Sequence, residues 1–479
     1  MTIPDGETLS ASMRTHTVRH SARQWLAGGG LVAVILSTVL APSPSPAQVP
    51  RIQGQGTAAS GMGNAFAAQA DDPSALHYNP AGMTQLHGVQ LMAGGLLSGG
   101  TTTYTSPTGV TATGDRNGTV AWPPPVHAYI VANLKDIGIT ALGDLTAGIG
   151  LTVPFGSLTR WPEDSPFRFV TTFNTLPLID IKPTLAYALT RDLSVGLGAD
   201  IYTFSGLIGE GHVEQRSISP GGIAPAGSRL ELFGKDTAAG FNASLLYTVL
   251  RNAADRPLAN LALVYRSQAT LHLDGALLAN GVKVQDAATT FVLPQVISAG
   301  IALWPVRKPD QEWKLELDVD YVGWKSVRNL DVKLASGTVI PQPTNWKSTY
   351  ATMVGTEYRW LQIERMPGWE IAARAGYTHQ QTQMPDVTFN PGIPSADVHL
   401  LAAGLGFLCS DGGRFFGVVP CGSAGVGGVK VKAVGLDLSY QASLYEERTV
   451  TGNTGVRAGV NGLYATTLHT GGLSLRINF

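Results

Sequence analysis

Trp313-Lys314-Leu315-Glu316-Leu317-Asp318-Val319-Asp320-Tyr321 alternates without a break. Trp313, Leu315, Leu317, Val319 and Tyr321 form one set; Lys314, Glu316, Asp318 and Asp320 form the other. A period of two means an extended strand with two unlike faces. The charged face cannot lie in hydrocarbon, where each charge costs several kcal/mol. A strand that is apolar on one side and charged on the other suits a wall between lipid and a polar lumen.

The pattern recurs along the chain. Leu193, Val195, Leu197, Ala199 and Ile201 alternate with Ser194, Gly196, Gly198 and Asp200. Leu261, Leu263 and Tyr265 alternate with Ala262, Val264 and Arg266, and Val434 to Leu444 alternates with Gly435, Asp437, Ser439, Gln441 and Ser443. A soluble sandwich also alternates, but it does not need so many long strands with charges on the second face and so little charge overall. Charged residues are 14% of the chain and the formal net charge is -1, against about 25% charged in soluble domains. That balance gives no basis for nucleic-acid binding. The 57 glycines suit crowded positions inside a barrel. No later apolar run reaches a helical span, and only helices and closed barrels satisfy the backbone in lipid. The expected fold is therefore all-β: a transmembrane antiparallel barrel.

Connections set the strand number. Thr190-Arg191-Asp192, Ala253 to Pro257 and Arg307 to Glu312 are short and polar. Seven longer connections fall near 104–118, 157–174, 210–230, 274–288, 334–344, 384–397 and 447–463. Seven long loops imply about 14 strands, an even number as in bacterial barrels. Leu473, Leu475, Ile477 and Phe479 end the chain in alternation, which reads as a last strand running toward the periplasm.

Ahead of the strands, Arg14, Arg19 and Arg23 precede the apolar run Trp25 to Ala41, and Ser45-Pro46-Ala47 offers a cleavage site. Residues 1–47 read as a signal peptide. The alternative, an uncleaved anchor, needs ~20 apolar residues, more than this glycine-broken run supplies. Cys409 and Cys421, the only cysteines, read as a disulfide at a periplasmic turn, the alternative being two free thiols. No metal site or cofactor is expected: the histidines are scattered and nucleotide or hydrolase motifs are absent. No catalytic residue is assigned; the enzyme reading, an outer-membrane lipase, lacks a convincing Ser and His pair. An adhesin or structural barrel is the remaining alternative from another class.

Between the leader and the strands lies a stretch rich in small residues, Gly61 to Met83. Gly61-Met62-Gly63-Asn64-Ala65-Phe66, Asp72-Pro73-Ser74-Ala75 and Tyr78-Asn79-Pro80-Ala81-Gly82-Met83 resemble the hatch signature of the FadL family of outer-membrane long-chain fatty acid and hydrocarbon transporters, with its toluene-channel relatives. Val153-Pro154-Phe155-Gly156 with Arg160-Trp161, Ile181 to Tyr187, Leu193 to Gly196, Asp320 to Trp324, Arg374 to Thr378 and Asn390 to Asp397 also resemble family segments, in order along nearly the whole mature chain.

The resemblance implies a 48–86 hatch plugging an 87–479 barrel. It implies passive uptake of hydrophobic molecules, long-chain fatty acids first and monoaromatics or alkanes as the alternative. Ligand would bind an outer groove, then an inner pocket, then leave sideways into lipid at a kink in the third strand. It also suggests a self-contained monomer in the outer membrane of a Gram-negative bacterium, in contact with lipid and lipopolysaccharide and inserted by the barrel assembly machinery.

Candidate residues follow. Asn79, Pro80 and Ala81 would gate beside the exit, or form only a turn. Gly148, Gly150, Pro154, Phe155 and Gly156 would make the third-strand opening, or serve as ordinary barrel residues that ease curvature. Tyr202, Phe204, Leu207 and Ile208 would line the ligand site, with Arg160 or Lys182 for a carboxylate. The competing reading for the cations, Arg168, Arg266 and Arg374 included, is a charge network with Asp180, Glu316, Asp318, Asp320 and Asp437. Trp304, Trp313, Trp346, Trp360 and Trp369 are expected in interfacial girdles, with Trp324 facing inward as the exception.

Overall fold

The structure is a computed structural model. It describes residues 51–479 except 115–120, 122–123, 208, 411, 416, 423–424 and 427–428. The signal-peptide assignment and Ile208 lie outside the described residues.

Fourteen strands close into an antiparallel barrel: β1 Val89–Thr105, β2 Val126–Asn133, β3 Leu145–Arg160, β4 Phe173–Ala188, β5 Leu193–Phe204, β6 Ala238–Arg251, β7 Pro257–Arg266, β8 Val296–Arg307, β9 Gln311–Val322, β10 Thr349–Trp360, β11 Trp369–Gln380, β12 Val398–Ser410, β13 Ala433–Tyr445 and β14 Gly462–Asn478. Each pairs with the next, and β14 returns to β1 through sixteen residue pairs from Gln90↔Asn478 to Leu463↔Thr105. Closure removes the unpaired edges that hydrocarbon cannot satisfy. The all-β barrel expectation holds, and the alternation sorts the faces as read. In β9, Lys314, Glu316, Asp318 and Asp320 are buried inward while Trp313 and Val319 are exposed outward.

The seven long connections all leave the end away from the C-terminus, which by the short-turn rule is the extracellular end. Five of them carry strand; in two the strands are long. The 210–230 region opens into strands Val213–Ile218 and Arg229–Lys235. The 274–288 region is a hairpin, Ala269–Ala279 and Val282–Leu293. Its turn, Asn280-Gly281, takes positive φ at both residues (48° and 79°), the geometry that an Asn-Gly pair favours in tight hairpins. These strands join one another and the outer end of β4, extending the wall above the membrane band.

At the short-turn end Cys409 and Cys421 are disulfide-bonded, with Cα atoms 5.7 Å apart. Trp369 stacks on Phe415 beside them. Trp313 and Trp360 stand exposed on the outer face, but Trp304 and Trp346 are buried. The girdle reading fails for those two because each falls where its side chain turns into the molecule. Trp304 lies against the Arg307 guanidinium, 4.5 Å from the ring centre. Trp346 meets Trp324 edge-on at 5.8 Å.

Candidate functional site: the N-terminal segment, the third strand and two cavities

Residues 51–86 fold into short pieces, α1 Thr57–Gly61, α2 Ala75–Tyr78 and a 3-10 turn Pro80–Gln85. They are too short to be stable alone. The inward side chains and backbone of the wall hold them. Phe66 and Ala67 N–H both donate to Asp318 Oδ2 at 2.8 Å, and Ala68 and Gln69 N–H donate to Glu316 Oε1 at 2.6 and 3.2 Å. Four consecutive N–H groups are thus satisfied by two acids of β9. Beside them Lys314 bridges Asp71 (3.1 Å) and Glu357 (2.9 Å), and Arg374 bridges Glu357 (2.6 Å) and Asp437 (2.7 Å). Backbone also meets backbone. A Cβ on Gly376 would lie 2.1 Å from the Met62 carbonyl carbon, so that site admits only glycine.

Asn79-Pro80-Ala81 lies against β5 and β6. Asn79 Nδ2 donates to the Ala67 and Leu245 carbonyls, and Ala81 N–H donates to Ser244 Oγ at 2.9 Å. The absent side chain of Gly196 makes the room, since a Cβ there would be 2.5 Å from Ala81 N. Asn79 and Ala81 thus bond to β6, and the turn Pro80–Gln85 packs mainly on β5 and β4, toward the short-turn end, rather than on the third strand where the kink lies.

The kink itself is real. The β3–β4 register breaks between Thr152 and Phe155. Proline at 154 has no N–H for the ladder. Pairing of β2 with β3 stops at Ala128↔Leu151, so beyond Leu151 β3 has no β2 partner among the described residues. The N-terminal segment fills that place. Arg51 forms an antiparallel bridge with Phe155, and Ile52 N–H donates to the Pro154 carbonyl at 2.9 Å. Gln55 pairs with Val153 in both directions: its Nε2 donates to the Val153 carbonyl (2.8 Å) and its Oε1 accepts from Val153 N–H (2.9 Å). Sequence reasoning missed Gln55, because a lone Gln in a small-residue stretch carries no local signal.

The remaining candidates separate. Phe155 and Tyr202 meet edge-on at 6.2 Å, and Phe155 meets Trp324 at 6.1 Å, forming a buried aromatic group against which Phe204 packs. Leu207 is 95% exposed and stands apart from it. Gly156 faces Ile52. Gly148 and Gly150 lie below the break, where a Cβ on either would collide with Leu76 at 2.8 Å; they seat the N-terminal segment rather than widen a gap. Lys182 is fully buried between Asp180 (2.9 Å) and Asp200, and Arg266 also reaches Asp200 at 3.4 Å. This is the charge-network arrangement. Arg160 is exposed, its guanidinium 5.3 Å from the Phe173 ring centre.

Two cavities border this region. An apolar groove, open to the outside, lies among the extracellular strands; Val213, Phe233, Leu273, Phe291, Val332 and Trp346 line it, and among the described residues no charged side chain does. An inner cavity, also open, reaches from Arg51–Gly54 to Val153 and Gly156–Thr159 on one side of the break and Ala121, Pro124 and Pro125 on the other. Ser157, Leu176 and Ile393 line both. A container above, a chamber below and an interrupted wall beside the chamber are what sideways release of an apolar solute requires.

Residues 45–412 match the family model described as outer membrane protein transport protein (OMPP1/FadL/TodX). The chain belongs to this family. It is an outer-membrane β-barrel that transports hydrophobic substrates. A solved Pseudomonas aeruginosa FadL homologue is 18% identical, with a TM-score of 0.68 over 91% of this chain and 100% of that one. The Pseudomonas putida toluene transporter TodX is 18% identical, with a TM-score of 0.58 over 89% and 99%. CymD, a monoaromatic hydrocarbon channel, is 17% identical, with a TM-score of 0.54 over 89% and 98%. At these identities the likeness is one of fold. A Neisseria meningitidis serogroup B protein named as an outer membrane protein is 32% identical over 120 residues, which is 24% of each chain.

Proposed function

We propose that hydrophobic molecules enter the apolar groove, pass Ser157, Leu176 and Ile393 into the inner cavity, and leave sideways into lipid between β2 and β3. Residues 51–55 act as the movable bar of that exit. The interrupted third strand carries this reading: its unpaired stretch borders the chamber, and the groups that fill the gap belong to the N-terminal segment rather than the wall. A lateral route keeps the solute out of water, where exposing apolar surface costs ~25 cal/mol per Å². Crosslinking tests it. Ile52 touches the site where a Gly156 Cβ would stand, so Ile52→Cys with Gly156→Cys should bond under oxidation. Uptake should then fall and recover on reduction; unchanged uptake in the crosslinked protein would remove the lateral exit from the mechanism.

An uncharged hydrocarbon fits the groove best, because no charged residue lines it among the described residues. A long-chain fatty acid is the second reading. Arg51 favours it: this cation lines the inner cavity, paired with Asp320 at 2.6 Å, and an incoming carboxylate would compete for it. Uptake of labelled toluene against labelled oleate, in a strain lacking its own transporter, separates the two.

A further inference from the structure

The three groups that stand out beyond the transport path are on the outer surface. His379 of β11 and His399 of β12 are cross-strand partners, so their side chains rise side by side on one face. That is the outward face, shared with the exposed Leu401 and Leu405. Glu446, directly after β13, joins them: its N–H donates to the Asp397 carbonyl, which sets the start of the last long loop against the start of β12. One ligand-capable atom from each of His379, His399 and Glu446 lies within 4.8 Å of the others. The side chains are accessible, at 29%, 41% and 40% exposure.

Two further observations point to a ligand. The His399 ring is oriented from behind: Tyr377 Oη lies 2.7 Å from Nδ1, while Nε2 lies 3.2 Å from Glu446 Oε1. With Nδ1–H donating to the phenol oxygen, the Nε2 lone pair points at the cluster, the arrangement in which a supporting group fixes a metal-binding imidazole. Second, Asp397 is buried beside them. Its Oδ1 accepts from Thr382 N–H, but its Oδ2 has no hydrogen-bond partner and lies 3.8 Å from His379 Nε2.

We propose that His379, His399 and Glu446 form a surface site for a divalent transition metal, bordered by Asp397, which ties β11, β12 and the root of the last extracellular loop together. Two imidazoles and a carboxylate suit Zn²⁺, Co²⁺, Ni²⁺ or Cu²⁺ better than Mg²⁺ or Ca²⁺, which prefer all-oxygen shells. Three protein ligands leave a position for water. The site lies at the loop end of the strands, above the apolar band, where a bound ion keeps its contact with water. It is independent of the transport reading.

The test uses the full chain, purified in detergent through a tag without histidine. Co²⁺ titration should give visible d–d absorption at one ion per chain. Zn²⁺ should displace it, and excess Mg²⁺ or Ca²⁺ should not. His379→Ala and His399→Ala should each weaken Co²⁺ binding by at least about tenfold, while His87→Ala, at a distant exposed histidine, should not change it. Zn²⁺ should raise the unfolding midpoint of the parent and not of the His379→Ala/His399→Ala double variant; heat-modifiable gel migration reports that each variant is folded. No stoichiometric Co²⁺ binding by the parent, equal binding by the folded double variant, or displacement by Mg²⁺ would each overturn the proposal.

Discussion

The Gln55 carboxamide and the main chain of Val153 pair in both directions, at 2.8 and 2.9 Å. That pairing imitates one rung of a β-ladder at the place where β3 has lost its neighbour. Gln55 is also a hub. Its own N–H donates to Tyr78 Oη at 2.9 Å, and its carbonyl accepts from Tyr129 Oη at 2.5 Å. Tyr129 lies on β2 and Val153 on β3, so this one residue spans the two margins of the gap.

Gln55→Leu should therefore loosen the exit without unfolding the wall. It leaves the Val153 N–H and carbonyl buried without partners, at ~1–3 kcal/mol each. The barrel should still show heat-modifiable migration, while hydrogen exchange at Val153 rises and uptake of a hydrophobic probe changes. Normal exchange at Val153 would show that the carboxamide is not what closes the gap.

Glu316 and Asp318 should anchor the N-terminal segment more than they stabilise the wall. Asp318→Ala strands the Phe66 and Ala67 N–H groups, and Glu316→Ala strands those of Ala68 and Gln69. Leaving a buried N–H without its acceptor costs ~1–3 kcal/mol. Exchange of amides 66–69, read by mass spectrometry, should rise in either variant and most in the double. Asp318→Asn keeps an oxygen acceptor and should exchange less than Asp318→Ala.

These anchors show where sequence reading ends. The wall was legible because one face must meet lipid and the other must not, and that constraint repeats every second residue for the length of each strand. Lys182 was legible in principle: Asp180 stands two residues before it on the same face, and the pair forms. The hairpin at Asn280-Gly281 carried its own turn signal inside a stretch read as loop. The Gln55–Val153 and Ala81–Ser244 contacts left no such trace. They join residues 98 and 163 positions apart, and each depends on how a wall strand bends or on which glycine leaves room. Leu207 failed for a related reason. The fifth strand stops at Phe204, and alternation says nothing about a side chain once the strand has ended.

Gly196 should be intolerant of any side chain. A Cβ there would lie 2.5 Å from Ala81 N and 2.6 Å from Pro80 Cβ. Gly196→Val should displace Asn79-Pro80-Ala81 and cost ~1–3 kcal/mol, the usual range for overpacking. Gly471→Ala is the control, because nothing lies within 4 Å of its added Cβ. Urea midpoints should fall for the first and hold for the second. A parent-like midpoint and uptake in Gly196→Val would mean that the element moves aside freely.

His77 should make the packing of the N-terminal segment sensitive to acid. Burial first, then the cations Arg266, Lys182 and Arg51 and the neighbouring His127, hold its imidazole well below the usual value. A group depressed in the folded state stays neutral there while the unfolded chain takes up a proton below pH ~6.5. Its contribution is therefore fully present above that pH and is lost as pH falls, by up to ~1.4 kcal/mol per unit. Asp72 acts with the opposite sign: burial raises its carboxyl, so its ionisation costs stability as pH rises. Comparing variants at each pH isolates His77. His77→Phe keeps the ring edge-on to Tyr78 and the main-chain carbonyl that Arg266 uses. Between pH 7.5 and 5.5 the urea midpoint of the parent should drop further than that of His77→Phe; parallel curves would mean that His77 takes up its proton without leaving its place.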